Sequence, residues 1–268
     1  MTESDAVGMD SRITADEFLG GRVRLLQWAE GYRAAVDPVL LAATVPALAG
    51  DRVLELGCGA GAAMLCLAVR VPGLRVDGLE VQPDTAALAR RNVDINALAD
   101  RVAVHEGTIL DPPGTLPRGV YDRVMMNPPF HPAGAHTGSP EPGKALSHGE
   151  GEAVLGDWVR AALWFLKARG TLTLIHRADR LDEILFHLRG RFGAVTVFPL
   201  WPKAGMAAKR VLVHARRGVR TPLRLAPGLV LHEADGRFTP VAEAVLRQGN
   251  GLDIQRGDAA NPGGGKSA

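Results

Sequence analysis

Asn127-Pro128-Pro129-Phe130 is the stretch of this 268-residue chain whose residue types most directly imply chemistry. It follows the apolar run Tyr121–Met126, which reads as a strand. The proline after Asn127 holds the asparagine extended. Pro128 and Pro129 fix their own φ and carry no N–H. The segment therefore offers acceptors in a rigid array. The Asn127 side-chain carbonyl and the Pro128 backbone carbonyl can each take one hydrogen of an –NH2 group, and Phe130 can stack on the planar group that bears it. An amino nitrogen conjugated to a ring is a poor nucleophile because its lone pair is delocalised. Two acceptors help it pyramidalise and turn that lone pair towards an electrophile, with no strong base or metal. Positioning and electrostatics do most of the catalysis. The plainer alternative is a rigid turn with Phe130 in the core.

A second segment could hold the electrophile's carrier. Val53–Gly61, VLELGCGAG, reads as a strand, a glycine turn and the start of a helix. Gly57, Gly59 and Gly61 let the backbone approach a ligand closely. Ala62 completes a relaxed G-x-G-x-x-[G/A] dinucleotide pattern, and Glu80 ends the next strand, where an acid can bind ribose hydroxyls. A nicotinamide dinucleotide and S-adenosylmethionine both fit this much, and a β–α turn without a ligand is the third reading. Glu55 lies two residues before the first glycine, where it can meet the loop or a ligand's ammonium. Dinucleotide folds usually keep that position apolar, so Glu55 and the Asn-Pro-Pro-Phe segment favour S-adenosylmethionine.

Positioning these segments requires a regular frame. Strand patterns at 52–56, 74–81, 101–110, 121–126 and 171–176 alternate with helical patterns at 62–71, 83–98, 156–170 and 178–193. Such alternation predicts an α/β fold with a mostly parallel sheet covered on both faces. The strands AVTVFPL and KRVLVHARR, joined by WPKAGMAA, predict a final antiparallel strand. A block over 16–50 precedes the first core strand, with a strand after Gly20-Gly21 and a helix whose N-cap is expected to be Asp37, ahead of Pro38. Residues 221–250 read as an added hairpin around Asp235-Gly236 and a helix capped by Thr239. One domain over 16–250 is expected, flanked by disordered ends at 1–15 and 251–268. Residues 131–151 are Gly/Pro-rich and read as a loop too long for a simple link.

Charge is unevenly distributed. Residues 1–150 carry 13 Lys and Arg against 19 Asp and Glu, a net of −6, and residues 151–268 carry 18 against 10, a net of +8. No acid occurs from Ile184 to His232. Arg189, Arg191, Lys203, Lys209 and Arg210 lie in that stretch among Phe192, Phe198 and Trp201, a pattern that suits a phosphate backbone with bases stacking on aromatics. A solvated face over core aromatics is the competing reading. The N-terminus lacks a signal-peptide pattern, no apolar window is long enough to span a bilayer, and Cys58 and Cys66 have no CxxC spacing. These features suggest a cytoplasmic protein with reduced thiols, no membrane partner and no metal, acting as a monomer.

Taken together, FLGGRVRLLQ, GYRAAVDPVLLAA, VLELGCGAG, NPPF and KRVLVHARRG resemble the bacterial tRNA(Val) adenine-N6 methyltransferase family. That family sits within the class I S-adenosylmethionine-dependent methyltransferases that carry an (Asn/Asp)-Pro-Pro-aromatic tetrapeptide. The resemblance spans residues 16–250. It implies a Rossmann-like fold with a mostly parallel seven-stranded sheet, S-adenosylmethionine as cofactor and tRNA as partner. It further implies that Glu55, Gly57, Gly59, Gly61 and Glu80 line the cofactor pocket and that Asn127, Pro128, Pro129 and Phe130 hold the target adenine. Tyr32, Arg33 and Asp37 would flank the cofactor or the target. Many relatives place an acid after the third strand against the cofactor's adenine. Here the residue is Thr108, with Asp111 nearby as a substitute.

Rival activities share parts of this pattern. Guanine-N2 methylation of ribosomal RNA uses the same acceptor logic, and protein-glutamine methylation the same tetrapeptide. A DNA adenine methyltransferase would need a target-recognition domain for which there is no room. A NAD-dependent oxidoreductase explains the glycine turn alone, and a non-catalytic RNA-binding module explains neither motif. His131, His136 and His148 match no metal spacing, and Cys58 reads as packing.

Overall fold

The computed structural model describes residues 12–31, 33–130, 153–254 and 258–260. Its frame is a nine-stranded sheet, built on β3 (Arg52–Leu56), β4 (Arg75–Glu80), β5 (Val102–Glu106), β6 (Tyr121–Met126), β7 (Leu166–Arg177), β8 (Phe192–Lys203) and β9 (Arg210–Arg217). The spatial order of these seven is β8-β9-β7-β6-β3-β4-β5. β3 to β7 are mutually parallel, and β9 runs antiparallel to both β7 and β8. The sheet is therefore the mostly parallel one expected, with its last strand inserted between two neighbours. Two short strands, β10 (Arg224–Leu225) and β11 (Leu229–His232), extend it by pairing parallel to β8. The expected turn at Asp235-Gly236 is present, closed by the Glu233 N–H to the Arg237 carbonyl at 2.8 Å, the Thr239 N–H to the Leu231 carbonyl at 2.9 Å and an antiparallel bridge of His232 with Phe238, while β11 also pairs with β8.

Alternate residues of each central strand enter two different cores, as the period of two requires. Val53, Met125, Ile175 and Leu212 pack with α1 (Val36–Thr44), α2 (Ala62–Arg70) and α3 (Pro83–Ile95). Leu54, Val124, Met126, Leu174 and Val213 pack on the other face with α4 (Leu155–Phe165) and α5 (Leu181–Leu188). Both faces are covered, so the central strands read as nearly continuous apolar runs.

The N-terminal block is a hairpin of β1 (Ile13–Phe18) and β2 (Val23–Trp28). β1 begins inside the 1–15 segment expected to be disordered. Asn92 of α3, fully buried, clasps this hairpin: its Oδ1 accepts from the Leu26 N–H at 2.8 Å, and its Nδ2 donates to the Leu26 carbonyl at 2.8 Å and the Ala60 carbonyl at 2.9 Å. At the other end, Thr239 caps α6 (Pro240–Leu246) as expected, accepting from Ala242 N–H at 3.3 Å. The tail departs from expectation. β12 (Gly251–Asp253) pairs with β13 (Asp258–Ala260), and Leu252 and Ile254 are buried in the core beside α1. α4 stops at Phe165, short of Gly170, because Leu166 already pairs with Tyr121 as the first residue of β7.

Candidate active site

Leu56 of β3 pairs with Met126 of β6, so the chain leaves two adjacent strands at one level, through Gly57 on the first and Asn127 on the second. Neighbouring strands lie about 4.8 Å apart, and the glycine turn and the amide therefore start side by side. β3 is also where strand order reverses, with β4 and β5 to one side and β6 and β7 to the other. Open α/β sheets bind ligands at such a switch point.

The glycine turn needs its glycines. Gly57, Gly59 and Gly61 take φ of 64°, 54° and 93°. A Cβ on Gly61 would fall 2.6 Å from Met64 Cε, whereas one on Gly59 would meet nothing within 4 Å, so the turn is packed beneath and open at Gly59. Two buried carboxylates hold it. Glu80 Oε2 accepts the Gly59 N–H at 2.8 Å and Oε1 accepts the Gln82 N–H at 3.0 Å. Glu55 Oε2 accepts the Met64 N–H at 2.8 Å, at the start of α2. Glu55 thus meets the loop's helix, one of the two partners expected for it. Burial raises the pKa of both acids; the Gln82 and Gly59 amides oppose this at Glu80, and at Glu55 the Met64 amide opposes it while the charge on Glu80 adds to it. Cys58 lies under the turn, its Sγ 2.8 Å from where a Gly78 Cβ would stand, which bears out its reading as packing. Burial pushes the Cys66 thiol up to about 12. Thr108 lies just beyond β5, half-buried, its hydroxyl accepting from the Leu110 N–H at 3.2 Å, and Asp111 is exposed. These residues could hold a nucleoside-bearing cofactor, with an acid at the strand end for hydroxyls and an open glycine turn for close approach.

In the tetrapeptide the Asn127 oxygen and Pro128 are buried, Pro129 is exposed and Phe130 half-buried. Two elements meet the Phe130 ring, and a third holds one of them in place. From the end of β7, His176 meets it edge to face at 5.3 Å with an interplanar angle of 80°. From the start of β9, the Arg210 guanidinium lies over it at 4.4 Å from the centroid. From α1, Asp37 Oδ2 accepts from Arg210 Nε at 3.0 Å. Pairing of Arg177 with Arg210 and of His176 with Val211 brings the last two strands' contributions together. His176 is 3% exposed, and its pKa is pushed down to about 4, first by burial and then by the Arg180 charge, so its ring is neutral at pH 7.

The other expected site residues are distributed as follows. Asp37 does not cap α1, whose N-cap is Ala35 without a side-chain bond; the Arg210 pair occupies its carboxylate instead. Arg33 is bound into the hairpin through Asp16 at 2.6 Å and Thr14 at 2.6 Å. Tyr32 lies outside the described residues, as do His131, His136 and His148. The basic residues divide between the two ends of the sheet. Lys203, Lys209 and Arg210 are at the end where Asn127 emerges, and Arg189 and Arg191 precede β8 at the opposite end. Seven residue steps along β9, from Arg210 to Arg217, separate the ends, about 23 Å. Lys203 Nζ donates to the Ala234 carbonyl at 2.9 Å, Arg191 donates to the His187 carbonyl at 3.1 Å, and Lys209 and Arg189 are exposed. Sequence reading missed His176, and with it the contact that joins Arg210 to Phe130. The only signal was their position, at the end of the 171–176 run and second in KRVLVHARR.

Among the described residues no helix is long and apolar enough to cross a membrane, and no group of three or more His, Cys, Asp or Glu is placed to hold a metal ion.

The model of the methyltransferase small domain family matches residues 35–199. The tRNA1(Val) (adenine(37)-N6)-methyltransferase of Aeromonas hydrophila is 31% identical over 210 residues, covering 77% of this chain and 85% of that one. The protein of the same name from Porphyromonas gingivalis is 29% identical, covering 84% and 91%. Among solved structures, one described as a predicted O-methyltransferase from Agrobacterium tumefaciens is 28% identical with a TM-score of 0.67, covering 84% of this chain and 98% of that one. TYW2 of Pyrococcus horikoshii, solved with MeSAdo, shares the fold at 14% identity and a TM-score of 0.53, covering 80% and 74%. With its glycine turn and Asn-Pro-Pro-Phe segment at one switch point, this chain belongs to the methyltransferase small domain family, in the group of the tRNA1(Val) adenine-N6 methyltransferases.

Proposed function

We propose that this protein transfers a methyl group from S-adenosylmethionine to the exocyclic N6 amine of an adenine in tRNA. The observation that carries the reading is the level exit of Gly57 and Asn127 from paired strands, which puts a cofactor turn beside an acceptor array for an amine. When bound, the cofactor supplies an electrophilic methyl group on a sulfonium. Glu80 and the open side of Gly59 receive its nucleoside end. The Asn127 side-chain carbonyl and the Pro128 carbonyl each take one N–H of the amine, and Phe130 stacks on the base. As the nitrogen pyramidalises its lone pair turns towards the glycine turn, and the surplus proton leaves to solvent. The His176 ring, edge to face with Phe130, supports this geometry.

Adenine is favoured over guanine by the names of the two relatives above. An oxygen acceptor, as the Agrobacterium description implies for that protein, has no pair of hydrogens for two carbonyls to take. The oxidoreductase reading falls with the family assignment. The test is incubation with labelled cofactor and tRNA from cells lacking the protein, followed by nucleoside analysis. Labelled N6-methyladenosine supports the reading. Label in another nucleoside, or none, refutes it.

A further inference from the structure

The Phe130 ring follows two prolines in a loop, and the prolines restrain the backbone but not the side chain. Its ring plane is set from outside. A guanidinium is planar and stacks on aromatic faces, and Arg210 lies 4.4 Å from the Phe130 centroid. Arg210 is itself held by Asp37 at 3.0 Å, with side chains 31% and 20% exposed, so the pair is partly withdrawn from water. His176 meets the same ring edge to face. A cation over one face of a ring restrains its plane and draws electron density from it.

We infer that Asp37 and Arg210 are positioning residues: their ion pair backs the Phe130 ring and fixes the plane against which the target base stacks. This rests on the methyl-transfer reading and deepens it. It also assigns Arg210 a role different from that of a phosphate contact, which is what the basic stretch alone would suggest. Neither residue touches the amine or the cofactor. They act through Phe130, on how often the bound base is aligned for transfer.

The test combines a double-mutant cycle with a readout free of substrate. Asp37→Asn and Arg210→Met are each expected to lower kcat about tenfold with cofactor affinity within twofold of the parent. In a Phe130→Leu background Arg210→Met should have no further effect, because the ring it backs is gone. In the free protein, the ring resonances of labelled Phe130 should shift on Asp37→Asn, and α1 gives no reason for misfolding because Asp37 does not cap it. The inference is overturned if Arg210→Met costs as much in the Phe130→Leu background as alone, or if it leaves kcat intact and lowers the salt slope of RNA binding by about one, as loss of a phosphate contact would. Unshifted ring resonances overturn it as well. A parent enzyme inactive on RNA would count against the function reading, and the resonances would still decide whether the pair holds the ring.

Discussion

Glu80 Oε2 accepts the Gly59 N–H at 2.8 Å, joining the end of β4 to the glycine turn that follows β3. The same carboxylate binds the Gln82 amide, so one buried group ties the glycine turn to the start of α3. Glu80→Gln keeps the size but turns an amine towards one of these N–H donors. Cofactor affinity should fall at least tenfold, about 1.4 kcal/mol, measured by titration calorimetry. Unchanged affinity would remove Glu80 from the cofactor site.

Asn92 links the same turn to the N-terminal hairpin through three hydrogen bonds from a fully buried amide. Asn92→Ala leaves the Leu26 amide and two carbonyls without partners, and each such loss costs about 1–3 kcal/mol. Unfolding in urea should show a loss of roughly 3 kcal/mol, and cofactor affinity should drop because the Ala60 carbonyl belongs to the turn. A variant as stable as the parent would mean that the hairpin is held by its apolar contacts alone.

The sheet was legible because each central strand is a short apolar run ending in turn residues, and the pairing of the two motifs follows from the order of those strands. What the sequence could not show were contacts set by register. Arg210 looked like any residue of a basic stretch until antiparallel pairing set it beside His176 and over Phe130. Asp37 carried the local signature of a helix cap, but an arginine 173 residues away competes for its carboxylate more effectively than the backbone does. α4 carried a glycine stop at Gly170, yet strand pairing from Leu166 ended it earlier. Leu252 and Ile254 sit in a polar, glycine-rich tail whose composition conceals two buried side chains.

His176 and His214 are both buried, and burial pushes each pKa down to about 4 from 6.5. His214 shares a 3.0 Å hydrogen bond with Thr173 in the sheet. Groups with depressed pKa values in the fold stabilise it fully above the unfolded value and lose that contribution as pH falls towards the folded one. Stability should therefore decline between pH 6.5 and 4, by on the order of 3 kcal/mol for each histidine at the lower limit. His214→Gln should flatten the decline when urea midpoints are followed against pH. An identical profile would show that His214 titrates normally in the fold.

Division of the basic residues between the two ends of the sheet separates their expected effects. Lys209→Ala, at the end where Asn127 emerges, should raise KM for tRNA about threefold and lower the salt slope of binding by about one. Arg189→Ala with Arg191→Ala, about 23 Å away along β9, should leave KM for a short stem-loop substrate unchanged. An equal effect from both ends would mean that RNA runs the length of the sheet edge.

The central claim is that Asn127 acts on the amine and not on the cofactor. Asn127→Ala, assayed in single turnover with tRNA from cells lacking the protein, measures this most directly. Removing one of two acceptors that bind more strongly as the amine pyramidalises should slow transfer at least a hundredfold, with the cofactor dissociation constant within twofold of the parent. Transfer at a comparable rate, or a loss of rate matched by an equal loss of cofactor affinity, would contradict the account.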